Sequence, residues 1–242
     1  MERIDKVLAN MGLGSRKEIK AMIRRGEIQI NGFPCMDAAT KIDLTADEVI
    51  VAGRVLRLRT SFFFMMNKPA GYLSASRDDR DVTVMELLSE EHRRLGLFPA
   101  GRLDRDSEGF LLLTNDGVFA HALTAPRRHV DKRYYVRYDG TLQDSAESLF
   151  QEGILIDGGE RCLPAELERL RPGEAIVTVH EGRYHQVKRM IASAGGTVTY
   201  LKRISIGPVQ LDPTLIPGTY RELSDCEIQL LEKASKLWNL KE

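Results

Sequence analysis

The sequence predicts an α+β protein in two parts. A small N-terminal module precedes a larger domain built on a mixed, largely antiparallel sheet flanked by helices. Three observations carry this reading. Two short amphipathic patterns crowd the first segment and run into an Asn-Gly hairpin signal. The apolar run at residues 110–113 is too short for a helix and fits a strand buried on both faces. Strand-like and helical stretches then mix without an internal repeat or a regular βαβ winding.

In chain order, Ile4, Val7, Leu8 and Met11 recur at helical spacing, and Gly12 and Gly14 stop that helix. Ser15 and Glu18 form a capping box that opens a second helix. That helix buries Ile19, Met22 and Ile23 along one stripe. Its other face sets Arg16, Lys20 and Arg24 in a row, with Lys17 and Arg25 alongside, until Gly26 ends it. A strand at 27–30 meets the turn Asn31-Gly32, a second strand covers 49–51, and residues 54–61 form a linker or final strand. The fragment at 12–17 contains two glycines and a lysine but lacks the spacing of a phosphate-binding loop.

The larger domain opens with a strand at 62–67 and a turn at 68–71. Thr83 and Glu86 cap a helix containing Leu87 and Leu88. Asp116 and Gly117 follow the buried strand and lead into a short helix ended by Ala125-Pro126. Further strands are expected at 134–138 and 175–180, and helices at 144–151 and 185–194. Ser224 and Glu227 cap a last helix with Ile228, Leu230, Leu231 and Leu237 at its apolar positions. The domain boundary falls between residues 59 and 60, giving domains 1–59 and 60–242.

With 242 residues, 43% of them apolar, the chain can bury a proper core, and 29% charged residues argue against wholesale disorder. No segment has the length and apolarity of a signal peptide or membrane span, so no membrane partner is expected. Three scattered cysteines, Cys35, Cys162 and Cys226, suggest reduced thiols in the cytosol and neither a disulfide framework nor a zinc site. The net charge is zero, yet the charges are segregated. Residues 16–25 and 127–137 are basic, whereas acids gather between 144 and 174. Local patches govern binding to a polyanion, so the zero average excludes nothing. The basic helix is either a solvated face or a surface for phosphates.

The chemistry concentrates at residues 101–117, GRLDRDSEGFLLLTNDG, where Asp104 sits between Arg102 and Arg105. A flanked aspartate of this kind is commonly structural. A nearby guanidinium also favours its ionised form, which suits a nucleophile or a stabiliser of developing positive charge and not a general base. The turn before a doubly buried strand would hold it rigidly. Asp106 and Glu108 lie too near in sequence to face Asp104 across a substrate.

This stretch resembles the catalytic motif of the pseudouridine synthases, within them the group acting on small-subunit ribosomal RNA. NKPAGY at 67–72, DKRYYV at 131–136, EGRYHQVKRM at 181–190 and IGPVQLDPTLIPGTYREL at 206–223 agree in order and spacing. The string SRKEIKAMIRRGEIQING resembles the S4 RNA-binding domain over about residues 2–58. The resemblance implies isomerisation of uridine to pseudouridine in 16S ribosomal RNA, at position 516, on a flipped-out base and with no cofactor. Other targets it leaves open are 23S ribosomal RNA or a non-catalytic role in ribosome assembly.

It also implies the residues. Asp104 is the nucleophile, whether it attacks the ribose, attacks the base or promotes a glycal route. Tyr134 stacks on the uracil, which leaves Tyr135 for the core, and Lys188 pairs with the aspartate. Without the motifs Tyr134 would read as a core aromatic and Lys188 as a surface lysine, with Arg189 the alternative should the register slip. Arg102 fills the gap left by the flipped base. RNA contacts are expected from Arg16, Lys17, Lys20, Arg24, Arg25, Arg105, Arg183 and Arg189, and His185 is structural or RNA-facing. The expected protein is a cytoplasmic monomer whose partner is 16S RNA in an assembly intermediate.

Overall fold

The computed structural model describes residues 1–157 and 159–236. Leu237, expected at the apolar face of the last helix, lies outside them. The described chain divides into two compact units, residues 1–62 with 88–97, and residues 63–87 with 98–236. The division falls near the boundary read from the sequence, but a short excursion of the second half, including helix α3 (Glu90–Arg93), clusters with the first unit.

In the N-terminal unit, β1 (Glu2–Arg3) leads into α1 (Ile4–Asn10) and then α2 (Arg16–Arg24). The capping box forms as expected: Glu18 N–H donates to Ser15 Oγ at 3.3 Å, and Ser15 N–H donates to Glu18 Oε2 at 2.6 Å. Strands β2 (Ile28–Ile30) and β3 (Phe33–Pro34) form the hairpin. Asn31 and Gly32 both adopt positive φ, 50° and 81°, as a tight primed turn requires. β4 (Lys41–Ile42) pairs with β1, while β5 (Val49–Val51) and β6 (Arg54–Leu56) complete a four-stranded sheet of order β3-β2-β5-β6. Ile4, Val7, Leu8, Ile19 and Ile28 close its core with no exposure.

The second unit is organised around a nine-stranded sheet with the path β13-β14-β10-β15-β9-β7-β17, with β16 beside β15 and β8 beside β9. Its strands are β7 (Phe63–Lys68), β8 (Phe98–Ala100), β9 (Glu108–Thr114), β10 (Lys132–Gly140), β13 (Glu166–Arg171), β14 (Glu174–Val179), β15 (Gly196–Ile206), β16 (Val209–Gln210) and β17 (Tyr220–Glu222). A small β11 (Leu155–Ile156) and β12 (Glu160–Arg161) hairpin stands apart. Helices α4 (Gly117–Thr124), α5 (Ala146–Gln151), α6 (Gln186–Ser193) and α7 (Asp225–Ala234) flank the sheet. Thr83 and Glu86 begin a 3-10 turn, and α4 starts where Asp116 caps Phe119 N–H at 2.9 Å. Among the described residues no helix is long and apolar enough to cross a membrane.

Phe110, Leu111, Leu112 and Leu113 are wholly buried, because β9 lies between β7 and β15 with both faces covered. Each such side chain contributes about 1.5–3 kcal/mol by leaving water. Pairing is antiparallel along the path except between β9 and β15, where Lys202 and Arg203 run parallel to Glu108 and Gly109. Gly109 permits this. It adopts φ +98°, and a Cβ there would lie 2.2 Å from the Arg203 carbonyl oxygen. The strand after α6 therefore comes directly beside the strand that follows Asp104.

Candidate active site

Asp104 stands in the connection between β8 and β9, in a loop held by atoms from the β7 side. The Lys68 side chain at the end of β7 has no exposure. Its Nζ donates to the carbonyl oxygens of Pro69, Asp104, Arg105 and Ser107 at 3.0, 3.1, 3.2 and 2.8 Å. One ammonium carries three protons, so four acceptors share them. Burial pushes this lysine down to about 8 from 10.5, against the pull of the carboxylates at Asp106, Glu108 and Asp104. Gly71 N–H donates to the Arg105 carbonyl at 2.7 Å, and Ser74 Oγ donates to the Leu103 carbonyl at 2.9 Å. The loop is thus clamped through its backbone, which leaves the Arg102, Arg105 and Asp106 side chains exposed and that of Asp104 partly so.

Across from it, α6 presents Lys188 and His185. Lys188 Nζ lies 3.4 Å from Asp104 Oδ2 and 2.6 Å from Asp106 Oδ1, and His185 Nε2 lies 3.6 Å from Asp104 Oδ1. The Asp104 side chain keeps 25% exposure, which leaves a carboxylate both paired and reachable. His185 adopts φ +50° at the helix start, a left-handed conformation uncommon outside glycine. Sequence proximity misleads in one respect: neither flanking arginine pairs with Asp104. Arg105 turns away, with Nη1 2.9 Å from Asp81 and Nε donating to the Gly71 carbonyl at 3.2 Å. Arg102 is exposed. The cation beside the carboxylate, Lys188, comes instead from eighty residues downstream, where α6 returns to the sheet.

Tyr134 on β10 is 9% exposed and shares a sheet face with Arg203 of β15. Arg203 Nη1 donates to the Tyr134 hydroxyl at 3.4 Å, its guanidinium carbon sits 6.0 Å from that ring, and its Nε donates to the Phe110 carbonyl at 2.7 Å. Among the described residues, Arg203 Nη2 is buried with no hydrogen-bond acceptor. Lys132, also buried on β10, is pushed down to about 8 by burial and by Arg203. Tyr135 does not join the core. It lies half-buried on the opposite face, accepting a hydrogen bond from Arg137 Nε at 3.0 Å, because adjacent strand residues point to opposite sides.

The expected RNA contacts separate by their partners. Arg16, Lys17, Lys20 and Arg24 are exposed on α2, and no ion pair to an acid engages them among the described residues. Arg25 instead pairs with Glu27, Arg183 with Glu181 at 3.0 Å, and Arg189 with Asp157 and Glu160. Arg189 also donates to the Tyr184 carbonyl at 3.3 Å. Sequence reasoning missed Lys68, Asp106 and Arg203. Asp106 was set aside, yet the lysine beside Asp104 makes its shorter contact with it. Only the lysine of NKPAGY carried a signal, as a charged residue ending an apolar strand.

The chain matches the RNA pseudouridylate synthase family model over residues 63–193 and the S4 domain model over residues 2–49. It is 46% identical over 235 residues to an RNA pseudouridine synthase of Bacillus subtilis, covering 96% of this chain and 98% of the relative. It is 37% identical over 232 residues to ribosomal small subunit pseudouridine synthase A of Vibrio cholerae, covering 96% of this chain and all (100%) of the relative. The Escherichia coli protein of the same name is 36% identical over 227 residues, 93% of this chain and 98% of its own. A crystal structure of a pseudouridylate synthase superposes with a TM-score of 0.67 at 35% identity, covering 96% of this chain and 100% of that one.

Proposed function

The chain belongs to the RNA pseudouridylate synthase family and carries an S4 domain, and from that premise we propose that it isomerises one uridine of 16S ribosomal RNA, at position 516. The relatives named for the ribosomal small subunit, 36–37% identical over nearly the full chain, support this substrate over 23S RNA. The substrate form we propose is an assembly intermediate, met by a cytoplasmic monomer. Domains 1–59 and 60–242 divide the work between holding RNA and changing it.

One observation carries the chemical reading: a clamped loop offers a partly exposed carboxylate, Asp104, to a lysine and a histidine from α6. In the isomerisation the N1–C1′ bond breaks, the uracil turns, and a C5–C1′ bond forms. The C5 proton leaves and N1 gains one, so no electrons are exchanged and no energy source or cofactor is required. In this reading Asp104 is the nucleophile. Lys188 pairs with it and fixes its direction, while Asp106 holds the far side of that lysine. Tyr134 stacks on the uracil and assists removal of its proton, with Arg203 orienting its hydroxyl. Chemistry on a base requires extrusion from its helix at a cost of a few kcal/mol, and Arg102 fills the vacated place.

For affinity, the unpaired cations of α2 serve as phosphate contacts: Arg16, Lys17, Lys20 and Arg24. They orient the RNA without reading its sequence. Arg25, Arg105, Arg183 and Arg189 contribute less, since acids or carbonyls already engage them. Asp104→Asn tests the reading. It keeps the shape and removes the charge, so turnover should vanish while 16S RNA affinity stays within a few-fold. Turnover at the wild-type rate would overturn the role of Asp104.

A further inference from the structure

Tyr184 is 76% exposed, yet its ring is not loose. It stacks on the His185 imidazole with centroids 3.9 Å apart and planes 17° from parallel. Consecutive side chains ordinarily diverge. Here the left-handed conformation of His185, φ +50°, brings the two rings together, at a backbone cost on the order of 1–3 kcal/mol that the surroundings must sustain.

The surroundings do so. Arg183 N–H donates to Gln186 Oε1 at 2.9 Å, and Gln186 Nε2 donates to the buried Glu181 carboxylate at 3.1 Å. Glu181 also receives Leu163 N–H at 2.9 Å and Arg183 Nε at 3.0 Å. Arg189 holds the Tyr184 carbonyl. A segment anchored this firmly displays an aromatic face that it does not bury. A single exposed aromatic is ordinary on a protein surface, but this one has a direction. The imidazole it rests on has its Nε2 3.6 Å from Asp104 Oδ1, so His185 alone links the Tyr184 ring to the carboxylate.

We infer that the outer face of Tyr184 is a stacking subsite for an unpaired base of the RNA, next in the strand to the nucleotide on which Asp104 acts. The inference rests on the reading of Asp104 as the reacting carboxylate. The chemistry is that of flipping. Extruding one nucleotide strips its neighbour of a stacking partner, and a fixed aromatic plane at the site's edge replaces it. Any base offers a π-face, so the platform orients the strand without demanding a sequence. It differs from the role given to Tyr134, which faces the reacting uracil itself.

A short oligouridylate carrying one 2-aminopurine probes the platform, with fluorescence quenching as the signal. Wild type and Tyr184→Phe should quench it and bind alike, since stacking needs the ring and not the hydroxyl. Tyr184→Ala should lose the quenching and bind about tenfold or more weakly, with an unchanged Tm because the side chain is exposed. Equal quenching and affinity in Tyr184→Ala, or a Phe variant as weak as the Ala variant, would overturn the inference. Isomerisation of 16S RNA is scored separately in the wild type. Lost turnover with intact quenching would count against the reading of Asp104 and not against the platform.

Discussion

The α2 face and the Asp104 loop both gather charge, and they do so in opposite ways. On α2 the cations Arg16, Lys17, Lys20 and Arg24 are exposed, with no ion pair to an acid among the described residues, over an apolar stripe at Ile19 and Ile23 that fixes only the helix. At Asp104 each charge is constrained: Lys188 bridges Asp104 and Asp106, and Lys68 draws four carbonyls inward beneath them. A polyanion is attracted by charge density alone, so the first arrangement suffices for affinity. A reacting carboxylate must be held within a fraction of an ångström of its target, which free side chains cannot do. Affinity and turnover should therefore be separable by mutation.

The widest separation is expected at Asp104 itself. Its Asn variant should lose turnover by on the order of 10⁴-fold or more, as removal of a central reacting group does elsewhere, with affinity barely changed. Single-turnover kinetics beside RNA titration would show the split, and a parallel loss of both would erase the distinction between the two regions.

Next comes Lys68→Met, which keeps the apolar stem and removes the loop's ammonium. The loop relaxes, and a misplacement of about 1 Å costs on the order of a hundredfold in kcat. Affinity for RNA should be unaffected, because Lys68 is buried. An unchanged kcat in a folded variant would show that the clamp does not position Asp104.

The proton on Lys68 gives a third test. With its folded-state value at about 8 against 10.5, the folded protein releases this proton first as pH rises. Burying the charge therefore costs stability below about 8, and that cost is relieved between about 8 and 10.5. Activity should move the other way, declining as pH rises through about 8 when the clamp loses donors. A pH–rate profile that stays flat there in the wild type would contradict this, as would a Met variant that declines in the same way.

The smallest effect on chemistry is expected from α2. Neutralising Arg16, Lys20 and Arg24 together should weaken RNA binding and reduce the slope of log affinity against log salt by about 2–3, at 0.7–0.9 per phosphate contact. The rate at saturating RNA should hold. An unchanged slope would make the face merely solvated.

What the sequence made legible follows the same division. The α2 helix is local, built by the Ser15–Glu18 box and a repeat within one element, and it appears where expected. The order of motifs led to Asp104, Tyr134 and Lys188, and the structure brings Asp104 and Lys188 within 3.4 Å. The charge environment was misread because it depends on long-range topology. Arg102 and Arg105 flank Asp104 in sequence but neither pairs with it, and the return of α6 depends on β15 running parallel to β9 at Gly109. Strand β15 itself was passed over, although Thr197, Val198, Thr199 and Tyr200 are strong strand formers. Lys68 had no partner visible in sequence, since its acceptors are backbone carbonyls, which every residue carries. Arg25 was legible in part, with Glu27 two residues away, whereas the acids that occupy Arg189 lie about thirty residues upstream.

In the proposed function Asp104 is the nucleophile for isomerisation of a uridine of small-subunit RNA. Pseudouridine mapping on 16S and 23S RNA, each treated with wild-type protein and with Asp104→Asn, tests it most directly. A single new pseudouridine in 16S RNA, at position 516, is expected with the wild type and not with the variant. Modification confined to 23S RNA, or equal modification of 16S RNA by both proteins, would contradict it.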